Sequence, residues 1–368
     1  MSSEFKFQLA GEVEDDALRA VLCKVPTPGN ISLVFNCEPS FYVAEHAGSV
    51  KSQTLIYKDQ KTGMIAGIAG RSIRNLYIDG VQKTVGYLNN LKLLPEVRSG
   101  TVFARGYKQI HDFHGDGEAP YYFATILDEN KYAQQILESG RAGIPNCVFA
   151  GMFVTYLIPL RKRALYKLRH EIIPCDESTL LKAHSCLSEW NSRYQFAPVY
   201  TPDDISGRTR LLPNFSPDNL YICKEGDGVA GTLGVWNQQP FKQMIVAGYS
   251  ARMKTVRPFY NIMARLNGHP TLPNIGEHIK CVYASLISSK EDDSEVFKSL
   301  ICKARSDWSG RGHDYLLVGL SVENKLAAVA RSLAARELKS RIYLIHWPEE
   351  KAVLPKNGRV AHLEVATL

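Results

Sequence analysis

Residues 91–103 of this chain, Leu91-Lys92-Leu93-Leu94-Pro95-Glu96-Val97-Arg98-Ser99-Gly100-Thr101-Val102-Phe103, carry the residue types of an anion site. A strand ends at Pro95, a tight turn follows, and a helix starts near Gly100. Successive backbone N–H groups in such a turn, from Ser99 through Gly100 and Thr101 to Val102, stand at the positive end of the helix and suit a pyrophosphate. Arg98 adds a positive charge. An ordinary strand-to-helix loop is the other reading of the same residues. Just upstream, Tyr87 and Asn89 share one face of the strand by its two-residue period. Such side chains orient an amine or relay a proton through water. Tyr87 reads equally well as core.

The elements that must hold these residues are announced by a phrase that occurs twice. Asp128-Glu129-Asn130-Lys131-Tyr132-Ala133 is echoed by Val322-Glu323-Asn324-Lys325-Leu326-Ala327. Each copy follows an apolar strand-like run, 121–126 or 315–320, and opens a helical pattern followed by a further strand. The offset, 324 − 130 = 194 residues, is a domain length and not a solenoid repeat. In the first copy a helix begins at Glu14-Asp15-Asp16. Strand-like runs follow at 31–35, 52–57, 64–68, 75–78 and 84–94, the last two flanking the hairpin signal Asp79-Gly80. A helix is expected over 100–113, with Phe103, Tyr107 and Ile110 on one face, and a strand at 148–158. The second copy predicts a helix over 177–190 and strands at 220–223, 229–235, 243–249, 279–287 and 313–321. It also predicts helices over 294–307 and 324–336, then strands at 341–347 and 360–368. A meander passing into strand–helix–strand units implies an α/β chain with a mixed sheet and helices on both faces.

Residues 91–103 resemble the acyl-CoA-binding segment of the GNAT N-acetyltransferase superfamily: L-x-V-x-P, an aromatic, then R-G-x-G-x-G or -A opening a helix. The superfamily's next helix begins N-x-x-A, matched by Asn130 and Ala133, with 130 − 98 = 32 residues between Arg98 and Asn130. The resemblance spans 14–158, and more weakly 165–368. It implies two tandem GNAT-like domains, residues 1–160 and 161–368. This two-copy architecture is also seen in mycothiol synthase, N-myristoyltransferase and the Fem peptidyl transferases. The resemblance further implies an acetyl-CoA or other acyl-CoA donor, held by Leu91, Leu93, Arg98, Ser99, Gly100, Thr101, Val102, Asn130 and Ala133. It implies a splay between the strands at 84–94 and 121–126 that admits the thioester, and a backbone N–H near Leu93 that polarises its carbonyl. Tyr87 and Asn89 then become the candidate catalytic residues for acyl transfer to an amine. Three positions depart from the family pattern. Thr101 and Phe103 stand where glycines are usual, and Leu137 stands where a general-acid Tyr is frequent. Two rival functions follow: a non-catalytic acyl-CoA-binding module, or a transferase whose donor is carried by a protein or a tRNA.

In the second copy the turn reads Lys290-Glu291-Asp292-Asp293-Ser294, whose three carboxylates repel a pyrophosphate and suit a helix cap instead. The Pro-rich stretch 255–275 reads as an irregular insertion and a candidate lid over the acceptor. Trp236 to Gln243 could line an acceptor pocket or form a long hairpin. Metal binding is not expected: His111, Asp112, His114 and Asp116 read as a helix end. The chain of 368 residues carries a net charge of +7, compatible with a nucleotide-like ligand but too diffuse to argue for nucleic acid. The eight cysteines contain no CxxC, which suits free thiols in a reducing cytoplasm. Arg161-Lys162-Arg163 through Lys167 and Arg169 marks the expected junction of the copies. With no stretch of 18 apolar residues, neither a membrane-spanning segment nor a membrane partner is expected.

Overall fold

The computed structural model describes residues 4–141, 143–160, 169–347, 354–355 and 358–368. The first half runs β1 (Phe5–Leu9), α1 (Asp15–Lys24), β2 (Ile31–Asn36), α2 (Phe41–His46), β3 (Lys51–Asp59), β4 (Ile65–Ile78), β5 (Val81–Leu93), α3 (Gly100–His114), β6 (Tyr122–Leu127), α4 (Lys131–Leu137) and β7 (Asn146–Pro159). The second half runs β8 (Ile172–Pro174), α5 (Glu177–Asn191), β9 (Ala197–Pro198), α6 (Pro202–Ile205), β10 (Leu220–Glu225), β11 (Gly228–Trp236), β12 (Gln243–Tyr249), α7 (Ala251–Leu266), β13 (Cys281–Ser289), α8 (Ser294–Trp308), β14 (Tyr315–Ser321), α9 (Ala327–Leu333) and β15 (Arg336–His346).

One sheet crosses the whole molecule in the order β1-β3-β4-β5-β6-β15-β7-β14-β13-β11-β10-β8. Read from either end, equivalent strands of the two halves meet in the same sequence. The repeat seen in the residues is therefore a repeat of topology, and Asn130 and Asn324 each lie three residues past the equivalent strands β6 and β14. The centre holds an exchange. β15 pairs antiparallel with β6 and with β7, and β7 pairs antiparallel with β14. Each half thus borrows a strand from the other. A second link is the two-stranded ribbon of β2 and β12.

Apolar spacing accounts for the helices. On α3, Val102, Phe103, Tyr107 and Ile110 are buried at i, i+1, i+5 and i+8, and Ser99 caps its first turn. β4 is buried along nearly its whole length, as a strand with neighbours on both edges and cover on both faces must be.

Several expectations need correction. The runs 64–68 and 75–78 are one strand, β4. Its middle hides two arginines, Arg71 paired with Asp116 at 2.7 Å and Arg74 bound to Thr367, so the apolar signal fails where the strand continues. Residues 255–275 are not irregular: α7 covers most of them, with Pro258 inside it. The helix at 324–336 is only α9, because Arg336 already pairs with Leu157 in β15. Residues 360–368 form no long strand but an extended segment ending in a short 3-10 turn, Val365–Thr367. The junction residues 161–168 lie outside the described residues.

Candidate functional site

β5 and β6 are bonded at Gly86↔Tyr122 and Tyr87↔Phe123 and then separate. The cause lies on the other edge of β5. Gly70 pairs with Asn89 but Ile68 pairs with Lys92, so β5 holds one extra residue there, and Asn90 takes a left-handed φ of 49°. Gly70 makes room for the bulge. A Cβ on it would lie 1.7 Å from Asn89 Oδ1 and 2.6 Å from Glu45 Oε1.

The splay opens a cavity of about 680 Å³ that passes from one face of the sheet to the other. On one face it is lined by Val102, Tyr107 and Ile110 of α3 and by Ala133, Ile136 and Leu137 of α4. On the other it is lined by Leu22 of α1, Ala44 and Glu45 of α2, and Lys242 and Met244 beside and in β12. Tyr87, Asn89, Leu91, Leu93, Arg98, Val102, Asn130 and Ala133 all line this one cavity. Ser99 and Thr101 do not; with Gly100 they form the start of α3 beside it.

At the α3 end, Arg98 Nη2 donates to Leu93 O at 2.9 Å, and the guanidinium lies 5.8 Å from the Tyr132 ring. Ser99 Oγ accepts from Val102 N at 3.4 Å and Asn130 Oδ1 from Ala133 N at 3.3 Å, so Asn130 is the N-cap of α4. Leu94 N donates to Ala66 O of β4, so strand alternation turns the N–H of Leu93 toward the splay. A strap crosses this mouth. Lys92 Nζ donates to Val25 O (2.7 Å) and Thr27 Oγ1 (3.1 Å), and Asn30 donates twice to the Glu129 carboxylate at 2.6 Å. Burial, and then the nearby Arg98 charge, lower the Lys92 amine to about 8.

The opposite end is polar. Asn90 Nδ2 donates to Glu45 Oε2 at 3.0 Å. Glu45 Oε1 and Asn89 Oδ1 are buried with no partner among the described residues. A buried acceptor without a donor is costly. A ligand ammonium would satisfy both atoms, as would the Asn89 amide turned by half a rotation for Glu45. Arg74 lies 4.1 Å from the Tyr87 ring centre and donates to Thr367 O at 2.6 Å, while Lys242 Nζ donates to Leu368 O at 2.6 Å. Tyr87 Oη is 3.3 Å from Thr125 Oγ1. Burial raises the Glu45 carboxyl above its usual range, against the opposing pull of Asn89, Arg74, Asn90 and Lys242. Burial likewise raises the Tyr87 phenol and lowers the Lys242 amine.

No family model and no curated protein matches the sequence. Solved structures do match. N-myristoyltransferase of Saccharomyces cerevisiae with bound myristoyl-CoA superposes with a TM-score of 0.62 at 10% identity, over 99% of this chain and 90% of that one. The GCN5-related glucosamine N-acetyltransferase region of a fungal multi-domain β-N-acetylglucosaminidase superposes with a TM-score of 0.61 at 10% identity, over 94% of this chain and 38% of that one. The chain has a GNAT fold.

The second GNAT-like half repeats the splay and closes it. β13 and β14 pair from Cys281↔Tyr315 to Tyr283↔Leu317 and then part. The bulge recurs, with Gly234 opposite Ser285, Thr232 opposite Ser288, and Leu286 at a φ of 50°. Here Glu364 Oε2 accepts from Leu286 N at 3.0 Å, and the turn Val365–Thr367 packs against β13 and β14. Burial pushes the Glu364 carboxyl up to about 8. The acidic turn also works inward. Asp293 caps α8 through Glu295 N and Val296 N, and Asp292 accepts from Trp190 Nε1 at 2.8 Å.

Sequence reasoning missed Glu45 and Arg74, while Lys242 lies in the stretch 236–243, a candidate acceptor lining from the sequence. The available signal was charge inside apolar surroundings: Glu45 follows Phe41-Tyr42-Val43-Ala44, and Arg74 sits between Ile73 and Leu76. Of the stretch Trp236–Gln243, only Lys242 reaches the cavity; Trp236 Nε1 binds Pro213 O and Gln238 binds Ala366 O. The proposed lid 255–275 contributes no lining residue among those described. His111 and His114 stack on Trp347, and the described residues hold no His/Cys/Asp/Glu cluster fit for a metal.

Proposed function

We propose that this protein is an acyl-CoA-dependent N-acyltransferase. Residues 1–160 form its working copy, and residues 161–368 a degenerate copy that walls the acceptor side. The observation that carries the reading is the open splay of β5 and β6, floored by Asn89 and Glu45, against the plugged splay of β13 and β14. Fold similarity to a transferase holding myristoyl-CoA supports an acyl-CoA donor.

The start of α3 and Arg98 would take the pyrophosphate, and Asn130 and Ala133 the adjoining arm. The Leu93 N–H, turned toward the splay, would polarise the thioester carbonyl. An amine entering from the α2 face would meet Glu45 Oε1 and Asn89 Oδ1. Its nitrogen attacks the carbonyl carbon, the C–N bond forms and the C–S bond breaks. CoA leaves as thiolate, and the amine proton passes to Glu45. Tyr87 holds Arg74 and walls the acceptor chamber. The acceptor's own structure beyond its amine, and the length of the acyl chain, are set by the rest of the cavity.

Leu137, apolar where the general acid is frequent, favours a second reading, an acyl-CoA-binding module without turnover. Thiol release from a series of acyl-CoAs against a panel of primary amines decides between them. The transferase reading predicts amine-dependent release that is lost in Glu45→Gln. Coenzyme A binding with no release across the panel would leave only the module.

A further inference from the structure

α7 presents an apolar face that the other described residues leave uncovered. One side of the helix is fixed to its own half. Tyr260 lies under Arg336 at 4.3 Å, Asn261 bonds Leu272 through both backbone groups, and Arg257 Nη2 bonds Asn274 at 2.5 Å. The neighbouring side carries Val256, Phe259, Ile262, Met263 and Leu266. Their spacing gathers them on one arc of a 3.6-residue period. All five are exposed, Phe259 by 72% and Leu266 by 76%. Single exposed apolar residues need no account, but a contiguous arc marks a binding surface.

The charges select the partner. Arg252, Lys254 and Arg265 of the helix are exposed, Arg257 is tied to Leu272 and Asn274 on the packed side, and the helix has no acidic residue. A second copy of the chain, itself at +7, would bring like charge against like across a two-fold contact. A cover for the cavity is excluded by position, since the arc faces away from the chain and no described residue of α7 lines it. A helix with an apolar arc beside basic residues suits a surface of anionic lipid, into whose headgroup boundary the arc sinks. We propose that α7 docks this protein flat onto an anionic membrane. Among the described residues no helix is long and apolar enough to cross one, but lying on a surface demands only a short amphipathic element. The expectation of no membrane partner rested on spanning alone. Docking would also orient the site: Ser250 N, at the start of α7, donates to Asn30 O at 3.0 Å, and Asn30 belongs to the strap across the cavity mouth.

The test is sedimentation of the full chain with phosphatidylcholine vesicles, with and without phosphatidylserine. The proposal predicts binding to the anionic vesicles that weakens with salt, and weaker binding to the neutral ones. Phe259→Asp with Leu266→Asp should weaken binding by at least about tenfold, as should Lys254→Glu with Arg265→Glu. Coenzyme A binding and thermal stability should be unchanged in both variants. Absence of vesicle binding, or undiminished binding by the first double variant, overturns the proposal. So does a dimer in sedimentation velocity that the first double variant dissolves, since the arc would then be a contact between copies.

Discussion

At the scale of single residues the site turns on one carboxyl group. Glu45 is buried, bonded on one oxygen by Asn90 and left without a donor on the other among the described residues. Replacing it with Gln keeps the shape, and the new amide would bond Asn89 Oδ1. Glu45→Gln should therefore hold or raise stability while lowering kcat/KM by about a hundredfold. The sign with pH follows from burial, which raises this carboxyl. The proposed base works only when ionised, so activity should rise as pH climbs through that raised value, and the limb should vanish in Glu45→Gln. A pH–rate profile beside a denaturation curve separates this from simple loss of fold. Arg74, Tyr87 and Lys242 face the same chamber and shape the limb. Asn89 and Tyr87 were legible because a strand's alternation places them on one face. Glu45 was not, because its partners are 44 and 45 residues away in sequence and belong to no shared motif.

At the scale of elements, the same bulge in β5 and β13 gives opposite outcomes. In β5 the groups after the bulge face a cavity. In β13 the freed Leu286 N–H is taken by Glu364. That plug has a measurable cost. The folded Glu364 carboxyl holds its proton up to about 8, from an ordinary 4.5, so the folded state binds the extra proton throughout that window. Stability is then fully present below the lower value and declines as pH rises toward the upper one. Denaturant unfolding across that range should show Glu364→Gln losing less stability than the parent; identical slopes would contradict the assignment. The acidic turn at 290–293 was readable as a cap because carboxylates at a helix start have a local cause. The plug was not readable, since residues 360–368 look strand-like and only tertiary contact turns them inward. α7 was misread for a related reason: the three prolines of 255–275 suggested irregularity, yet Pro258 is accommodated within the helix, and Pro270 and Pro273 lie beyond it.

At the scale of the whole molecule, the repeat was legible from Asn130 and Asn324, but the exchange of β7 and β15 was not. Both orders of the central strands satisfy the same apolar pattern, and only pairing partners distinguish them. The exchange matters for function because Phe153, Thr155, Leu338 and Ser340, from the exchanged strands, line the cavity of the first half. The second half thus contributes lining to the cavity of the first. The central claim is that one donor site exists, in the first half. Calorimetric titration of the full chain with coenzyme A tests it most directly. The account predicts one mole bound per mole of chain, weakened by at least about tenfold in Arg98→Glu through repulsion of the pyrophosphate and unchanged in Lys290→Glu. Two moles bound, or equal losses from the two substitutions, would contradict it.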